Sequence, residues 1–292
     1  MQILTDLSRK ELKKHGSDHF PFLVSREKLS RYESGSFLWH WHPQIEITCI
    51  RTGQMCYKVN DRIFHLKEGD LLFANANVLH AGMMEQMQDC TYLAVTFDAK
   101  LIYGFAGSSI HVKYVEPVIQ DFATPAVYID GSQVWHRTFA WYFEELIRLS
   151  DHPADFYELE IVMQLQALWK LLLQNYSPSR PASTRDAAEY ERMKEIITFI
   201  EHNYMRKLTL KDFAEHLHLC ESECCRLCKR YLNVPLFTFL QEYRIERSLE
   251  YLCRGESVSA AADKAGFSDS NYYAKVFAKW KGCSPTKYRK QR

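Results

Sequence analysis

Between positions 40 and 80 the chain places three histidines and a glutamate at spacings that suit one polar site. His40, His42 and Glu46 lie within Trp39-His40-Trp41-His42-Pro43-Gln44-Ile45-Glu46, and His80 ends a run that starts at Gly69-Asp70. Alternate residues of a strand share a face, so His40, His42 and Glu46 project together. Imidazoles and a carboxylate with open positions between them suit a divalent metal such as Zn, Ni, Mn or Fe. The same residues suit a pocket for an organic effector, or a polar core with no ligand at all. Trp39 and Trp41 take the opposite face, where packing is the first expectation. An aromatic wall beside polar groups also suits a sugar.

A different chemistry stands near the C-terminal end. Residues 258–277 read as a short apolar helix that stops at Gly266, a turn through Phe267 and Ser268, and a second helix. Glycine suits the left-handed position that ends a helix, and Ser268 or Asp269 can cap the next by accepting a backbone N–H. Two helices joined so tightly form the unit that lays its second helix in a DNA major groove. A related unit lies about 49 residues earlier, with Leu210, Phe213, Leu217, Ser222, Leu227, Tyr231 and Pro235. Residues 239–252 read as a long amphipathic helix joining the two. Reading helices on one face of such a rod can enter successive major grooves about 34 Å apart.

Cys220, Cys224 and Cys228 recur every four residues in the first unit, with Cys225 beside them. That spacing raises a thiol-responsive regulator as one alternative. The stronger reading puts Cys220 at a helix start and Cys224 and Cys228 on a buried face, where cysteine acts as a small hydrophobe. Nine cysteines, an odd number with two adjacent, do not form a secreted disulfide framework, so reduced thiols in a cytoplasm are expected.

The elements that must carry these residues follow from periodicity. From about 20 to 130 short runs alternate at period two between Gly and Asn turns, which predicts an antiparallel barrel or sandwich. From 132 to 176 the period becomes 3.6, with one stripe through Trp135, Phe139, Phe143, Leu146 and Leu149 and another through Leu159, Leu165, Leu168, Trp169 and Leu172. These helices carry more apolar surface than a barrel flank needs, so part of it is expected to bury against a second copy, forming a homodimer. Residues 177–189 are polar and contain proline, and are expected to be a linker. Helices fill 190–292.

Net charge is +1, yet residues 190–292 carry 19 Lys/Arg against 13 Asp/Glu, and residues 1–189 carry 18 against 23. A basic half beside an acidic half fits a phosphate-binding module joined to one that avoids phosphates. No apolar run of ~18 residues exists and the first ten residues lack a signal-peptide core, so no membrane span is expected and a cytoplasmic location is.

The C-terminal layout resembles the DNA-binding domain of the AraC/XylS transcription regulators. The matching residues include Arg244-Ile245, Leu249, Leu252, Ala261, Gly266-Phe267, Tyr273, Phe277, Gly282, Ser284-Pro285 and Tyr288-Arg289. Cys228 and Asn233 depart from the usual Phe and Gly, implying a more loosely packed first recognition helix. The resemblance implies sequence-specific binding to double-stranded promoter or operator DNA. It assigns base-facing roles to Ser222, Cys225 and Arg226 in the first unit, and to Ser270, Asn271, Ala274 and Lys275 in the second. Arg226 can pair with guanine, Asn271 with adenine, and Lys275 can donate to guanine or phosphate. It also implies an activator, which would contact RNA polymerase.

The N-terminal pattern His-x-His-x3-Glu-x6-Gly, then Gly-x10-His, is similar to the two motifs of the cupin barrel, in which such residues converge on a metal. Asn75 and Asn77 replace the usual Pro and Gly of the second motif, but Asn tolerates left-handed backbone. Sensing domains of this fold often use these positions for an organic effector. The expected fold is a two-domain α+β chain: a cupin-like sensing domain with dimerisation helices over 1–176, and an all-α double helix-turn-helix domain over 190–292. The expected function is effector-controlled transcription regulation, not catalysis. The competing class is a metal-dependent cupin enzyme on His40, His42, Glu46 and His80, which leaves the helical repeat unexplained.

Overall fold

The computed structural model describes residues 2–290 apart from 6–8, 33–34, 87, 122, 177–183 and 233. The alternating runs form β1 (Phe22–Lys28), β2 (Ser36–His40), β3 (Ile45–Thr52), β4 (Gln54–Val59), β5 (Arg62–Lys67), β6 (Leu71–Ala74), β7 (His80–Met84), β8 (Thr91–Phe97) and β9 (Ala126–Ile129). They make two antiparallel sheets, ordered β1-β8-β3-β6-β9 and β2-β7-β4-β5. Strand alternation divides β3 cleanly. Ile45, Ile47 and Cys49 join the core outside the larger sheet, while Ile50 joins the core between the sheets with Phe37, Met55, Tyr57 and Tyr92. Asn77 has φ 62°, so asparagine does take the left-handed step of the second motif.

Two short helices, α1 (Lys100–Tyr103) and α2 (Glu116–Ile119), lead to α3 (His136–Asp151) and α4 (Tyr157–Asn175). Most of the apolar stripe packs within the chain: Phe139, Phe143, Leu146, Leu165, Leu168, Trp169 and Leu172 are buried against the outer face of the larger sheet. Each contributes roughly 1.5–3 kcal/mol by leaving water. Trp141, Phe156, Leu159 and Met163 remain exposed.

The C-terminal half consists of α5 (Thr184–Asn203), α6 (Leu210–Leu217), α7 (Glu221–Leu232), α8 (Leu236–Cys253), α9 (Val258–Lys264), α10 (Ser270–Lys281) and α11 (Pro285–Lys290). The expected linker over 177–189 is too long by six residues. Helix α5 starts at Thr184, and its first turns are too polar to announce themselves as an amphipathic stripe. Residues 177–183 and Asn233 lie outside the described residues.

The two helix-turn-helix units close their turns differently. In the second, Gly266 has φ +81°, and a Cβ there would sit 2.3 Å from the Tyr204 carbonyl oxygen. Asp269 then caps α10, accepting from the Asn271 and Tyr272 amides. In the first, His218 takes the left-handed step with φ 52°. Cys220 stands just ahead of α7 and is exposed, whereas Cys224 and Cys228 are buried in the core of this unit.

The helical half docks on the smaller sheet. Trp39 and Trp41 pack against the core that α5, α7 and α8 build, and Leu79 belongs to it. The Tyr190 hydroxyl accepts from the Leu79 amide at 3.0 Å and lies 2.9 Å from the Asn77 carbonyl. Lys58 pairs with Glu242, both largely buried. Arg9, from the segment before β1, is 4% exposed and pairs with Glu201 at 2.8 Å.

Candidate effector and DNA-reading sites

The alternation read from the sequence brings His40, His42 and His80 together, although β2 ends at His40 and His42 lies just beyond it. Ring centroids stand 4.1 Å apart for His40 and His80, and 4.9 Å for His42 and His80. One ligand atom from each of the three lies within 4.8 Å of the others. All three rings are at least 97% buried.

Backbone carbonyls fix how these rings are turned. Nδ1 of His40 lies 2.9 Å from Leu38 O, that of His42 3.1 Å from Gln44 O, and that of His80 3.0 Å from Val78 O. A carbonyl only accepts, so each Nδ1 carries the proton and each Nε2 keeps its lone pair. Among the described residues, Nε2 of His42 and of His80 has no hydrogen-bond partner. Burial, with His80 and His42 nearby, holds the His40 imidazole well below its usual range. Burial and His42 lower His80 to about 4. Neutral imidazoles with free lone pairs are the form a cation requires.

Glu46 stands to one side of the three rings. Its Oε1 accepts from Tyr57 at 2.9 Å and Thr48 at 3.0 Å. Its Oε2 lies 3.4 Å from His42 Nε2, in contact but without hydrogen-bond geometry. Burial opposes its charge, while the hydrogen bonds donated by Tyr57 and Thr48 favour the carboxylate. His40 and Glu46 line a cavity of about 690 Å³ with Phe37, Tyr32, Tyr92 and Thr96. That size and mixture suit a small organic ligand.

Sequence reasoning missed two residues here. Glu11 and His15 come from the irregular segment before β1 and line the same cavity. The His15 ring is 4.7 Å from that of His42. A histidine four residues after a glutamate was visible, but no periodicity tied that segment to the barrel.

Of the residues expected to face DNA, Ser222, Ser270, Asn271 and Lys275 are exposed, while Cys225, Arg226 and Ala274 are half-buried. Asn271 and Lys275 therefore present their side chains to solvent along α10. Arg226 does not. Its Nε donates to Glu223 at 2.8 Å, and Nη2 lies 2.9 Å from Glu189. Glu189, which is 97% or more buried, also holds Arg230. Among the cysteines, burial pushes Cys224 up to about 11 and Cys228 higher still, so neither is a reactive thiolate. Cys220 is the exposed member of that run, and its hydrogen bond with Ser222 lowers it.

A barrel whose cavity mixes aromatic walls with a few polar groups, joined to two units that each present a helix to solvent, defines an effector-responsive DNA-binding regulator. A model of the AraC-like ligand binding domain matches residues 29–180, and one of a helix-turn-helix domain matches 213–291. The chain belongs to the AraC/XylS family of transcription regulators. It is similar to the HTH-type transcriptional regulator YdeC of Bacillus subtilis, 28% identical over 98% of this chain and 97% of that one. It is also 30% identical to the regulatory protein HptR of Staphylococcus aureus over 48% of this chain and 58% of that protein. Among solved structures, fatty-acid-bound ToxT of Vibrio cholerae aligns over 92% of this chain with 13% identity and a TM-score of 0.44. No helix of the described residues is long and apolar enough to cross a membrane.

Proposed function

We propose that the effector is a small polyhydroxylated metabolite, of the size and polarity of a sugar, held in the barrel cavity. One observation carries this reading: the cavity of about 690 Å³ joins an aromatic wall of Tyr32, Phe37 and Tyr92 to the acceptors Glu46 and His40. Hydroxyl groups would donate to these acceptors while sugar C–H faces stack on the rings. The strand that lines the cavity with His40 carries Trp39 into the helical half, so occupancy has a short path to the DNA-reading units. Only a difference in effector affinity between two arrangements of those units can drive regulation. In this reading the protein acts in the cytoplasm as a dimer through the apolar residues left exposed on α3 and α4. It reads an operator with Ser222, Cys225, Arg226, Ser270, Asn271, Ala274 and Lys275, and activates by contact with RNA polymerase.

The test is a sugar screen by thermal shift on the full chain, followed by gel shifts on its own upstream DNA. A ligand at ~100 times its Kd stabilises by about 2.7 kcal/mol. The expected ligand raises the Tm of the wild type, leaves that of Glu46→Gln unchanged, and alters operator affinity. Equal stabilisation of both proteins would put the effector elsewhere.

A second reading is favoured by the orphaned Nε2 atoms of His42 and His80. His40, His42 and His80 have the tautomer, burial and mutual distances for a first-row divalent cation, with Glu46 beside them. Zn, Ni, Mn and Fe all accept such a donor set. Such an ion would supply a fixed positive charge to which an effector's oxygen atoms could bind. Elemental analysis of protein purified without an immobilised-metal column decides this reading, and less than a tenth of an equivalent of metal removes it.

A further inference from the structure

The outer face of the smaller sheet carries a second kind of metal-binding group, outside the lining of the cavity. Along β4, Met55, Tyr57 and Val59 are buried in the core between the sheets, so Cys56 and Lys58 point the other way. The register sets Cys56 opposite His65 of β5, and cross-strand neighbours on one face stand close enough to touch. Glu85 follows β7 directly, and its carboxylate meets Nδ1 of His65. One ligand atom from each of Cys56, His65 and Glu85 lies within 4.8 Å of the others. Cys56 is a half-buried free thiol. The Glu85 side chain is 20% exposed and that of His65 70%, so the group opens to water on the His65 side.

We propose that Cys56, His65 and Glu85 bind a borderline divalent cation of the Zn2+ type, with its fourth position open to solvent. One thiolate, one imidazole and one carboxylate suit Zn2+, whereas Mg2+ and Ca2+ prefer oxygen donors alone. Binding would release the Cys56 proton to solvent and leave the thiolate on the ion. The His65 ring would carry its single proton on Nε2 and give the Nδ1 lone pair to the ion. Two anionic ligands then balance the double charge, so a half-buried face gains little net charge. The cation of β4, Lys58, is already paired with Glu242 of α8 and does not contest the Glu85 carboxylate. The site therefore lies one strand repeat from the contact between barrel and helical half. It shares no residue with the cluster of His40, His42 and His80, and stands whether or not that cluster holds a metal.

The experiment uses the full chain, reduced and stripped with a chelator, then titrated with Co2+ as a spectroscopic stand-in for Zn2+. A thiolate bound to Co2+ gives a near-ultraviolet charge-transfer band that imidazole and carboxylate ligands do not. The expected result is a saturable band in the wild type that Zn2+ displaces and that Cys56→Ser abolishes. His65→Asn and Glu85→Gln should each need at least ~10-fold more Co2+ to reach half of it. Because His65 is largely exposed, its replacement spares the fold and keeps the test decisive even where Cys56→Ser unfolds. The band should persist in His80→Asn, since the buried histidine cluster supplies no thiolate. Absence of the band from the wild type overturns the proposal, as does a band retained in Cys56→Ser or unshifted in His65→Asn. Its loss in His80→Asn would also overturn it, by tying the thiolate to the histidine cluster.

Discussion

Lys194 Nζ lies 3.7 Å from the centroid of the Trp41 ring, a cation from the DNA-reading half seated on an aromatic residue of the barrel. Trp41 separates His40 from His42, and its neighbour two positions back, Trp39, meets Phe239 with ring centroids 6.2 Å apart. Trp41→Ala is expected to weaken docking of the two halves by ~1–3 kcal/mol, combining the lost cation–π contact with lost apolar burial. Hydrogen exchange should quicken along α5 around Lys194 while the larger sheet keeps its protection. Unchanged exchange in α5 would mean that the interface does not depend on this ring.

Arg226 is expected to read a guanine, yet it lies folded against Glu223 and Glu189. Arg226→Ala should weaken operator binding by ~1–3 kcal/mol and relax discrimination at one base pair. Glu223→Gln removes a partner that Arg226 must leave in order to reach DNA. Because such half-exposed pairs are worth only ~0–1 kcal/mol, it should tighten binding by no more than a few-fold. Gel shifts over a set of single-base operator variants measure both. Uniform loss across all base substitutions in Arg226→Ala would reassign the residue to phosphate contact.

In chelator-treated protein the buried histidines make stability depend on pH. His80 is lowered to about 4 in the fold, whereas an unfolded chain would protonate it near 6.5. Between those values the unfolded state binds the extra proton. Stability is therefore complete above about pH 6.5 and declines as the pH falls towards 4, by roughly 1 kcal/mol per pH unit. His40 is lowered in the same direction and should steepen the decline. Urea unfolding across this window checks it, and His80→Asn should flatten the profile. A profile unchanged by that substitution would refute the assignment to His80.

Gly266 combines a left-handed backbone with contact to the end of α5. Gly266→Ala would set a methyl group against the Tyr204 carbonyl while forcing an unfavourable φ, and should cost about 2 kcal/mol or more. Thermal melts should register the loss, and DNA affinity should fall with it as α9 and α10 lose their angle. A Tm within a degree of the wild type would show that the turn can relax.

Much of this was legible in residue order. Alternation around His40 and His42 foretold both the inward cluster and the outward tryptophans, because a strand's period of two survives even though β2 stops at His40. Gly266 foretold its turn. What escaped was the partner of each surface. Nothing in the spacing of Trp39 and Trp41 says that they meet α5 and α8, since that contact joins residues some 150 to 200 positions apart. Glu11 and His15 sit in a segment without periodicity, positioned by backbone bonds to Trp41 that no side-chain pattern encodes. The start of α5 escapes for a similar reason: the sequence Thr-Arg-Asp-Ala-Ala-Glu carries no apolar period, and Glu189 is buried by pairing with Arg226 and Arg230 rather than by hydrophobicity.

The tract from Trp39 to His42 writes two messages in interleaved letters. Its even positions address the buried histidine cluster and its odd positions address the helical half. Mutation can therefore revise what the barrel recognises without rewording how it grips its reader, provided the backbone stays extended. A chimera that grafts Trp39 and Trp41 into a relative's barrel would transplant the grip alone, and one that exchanges His40 and His42 would transplant only the palate.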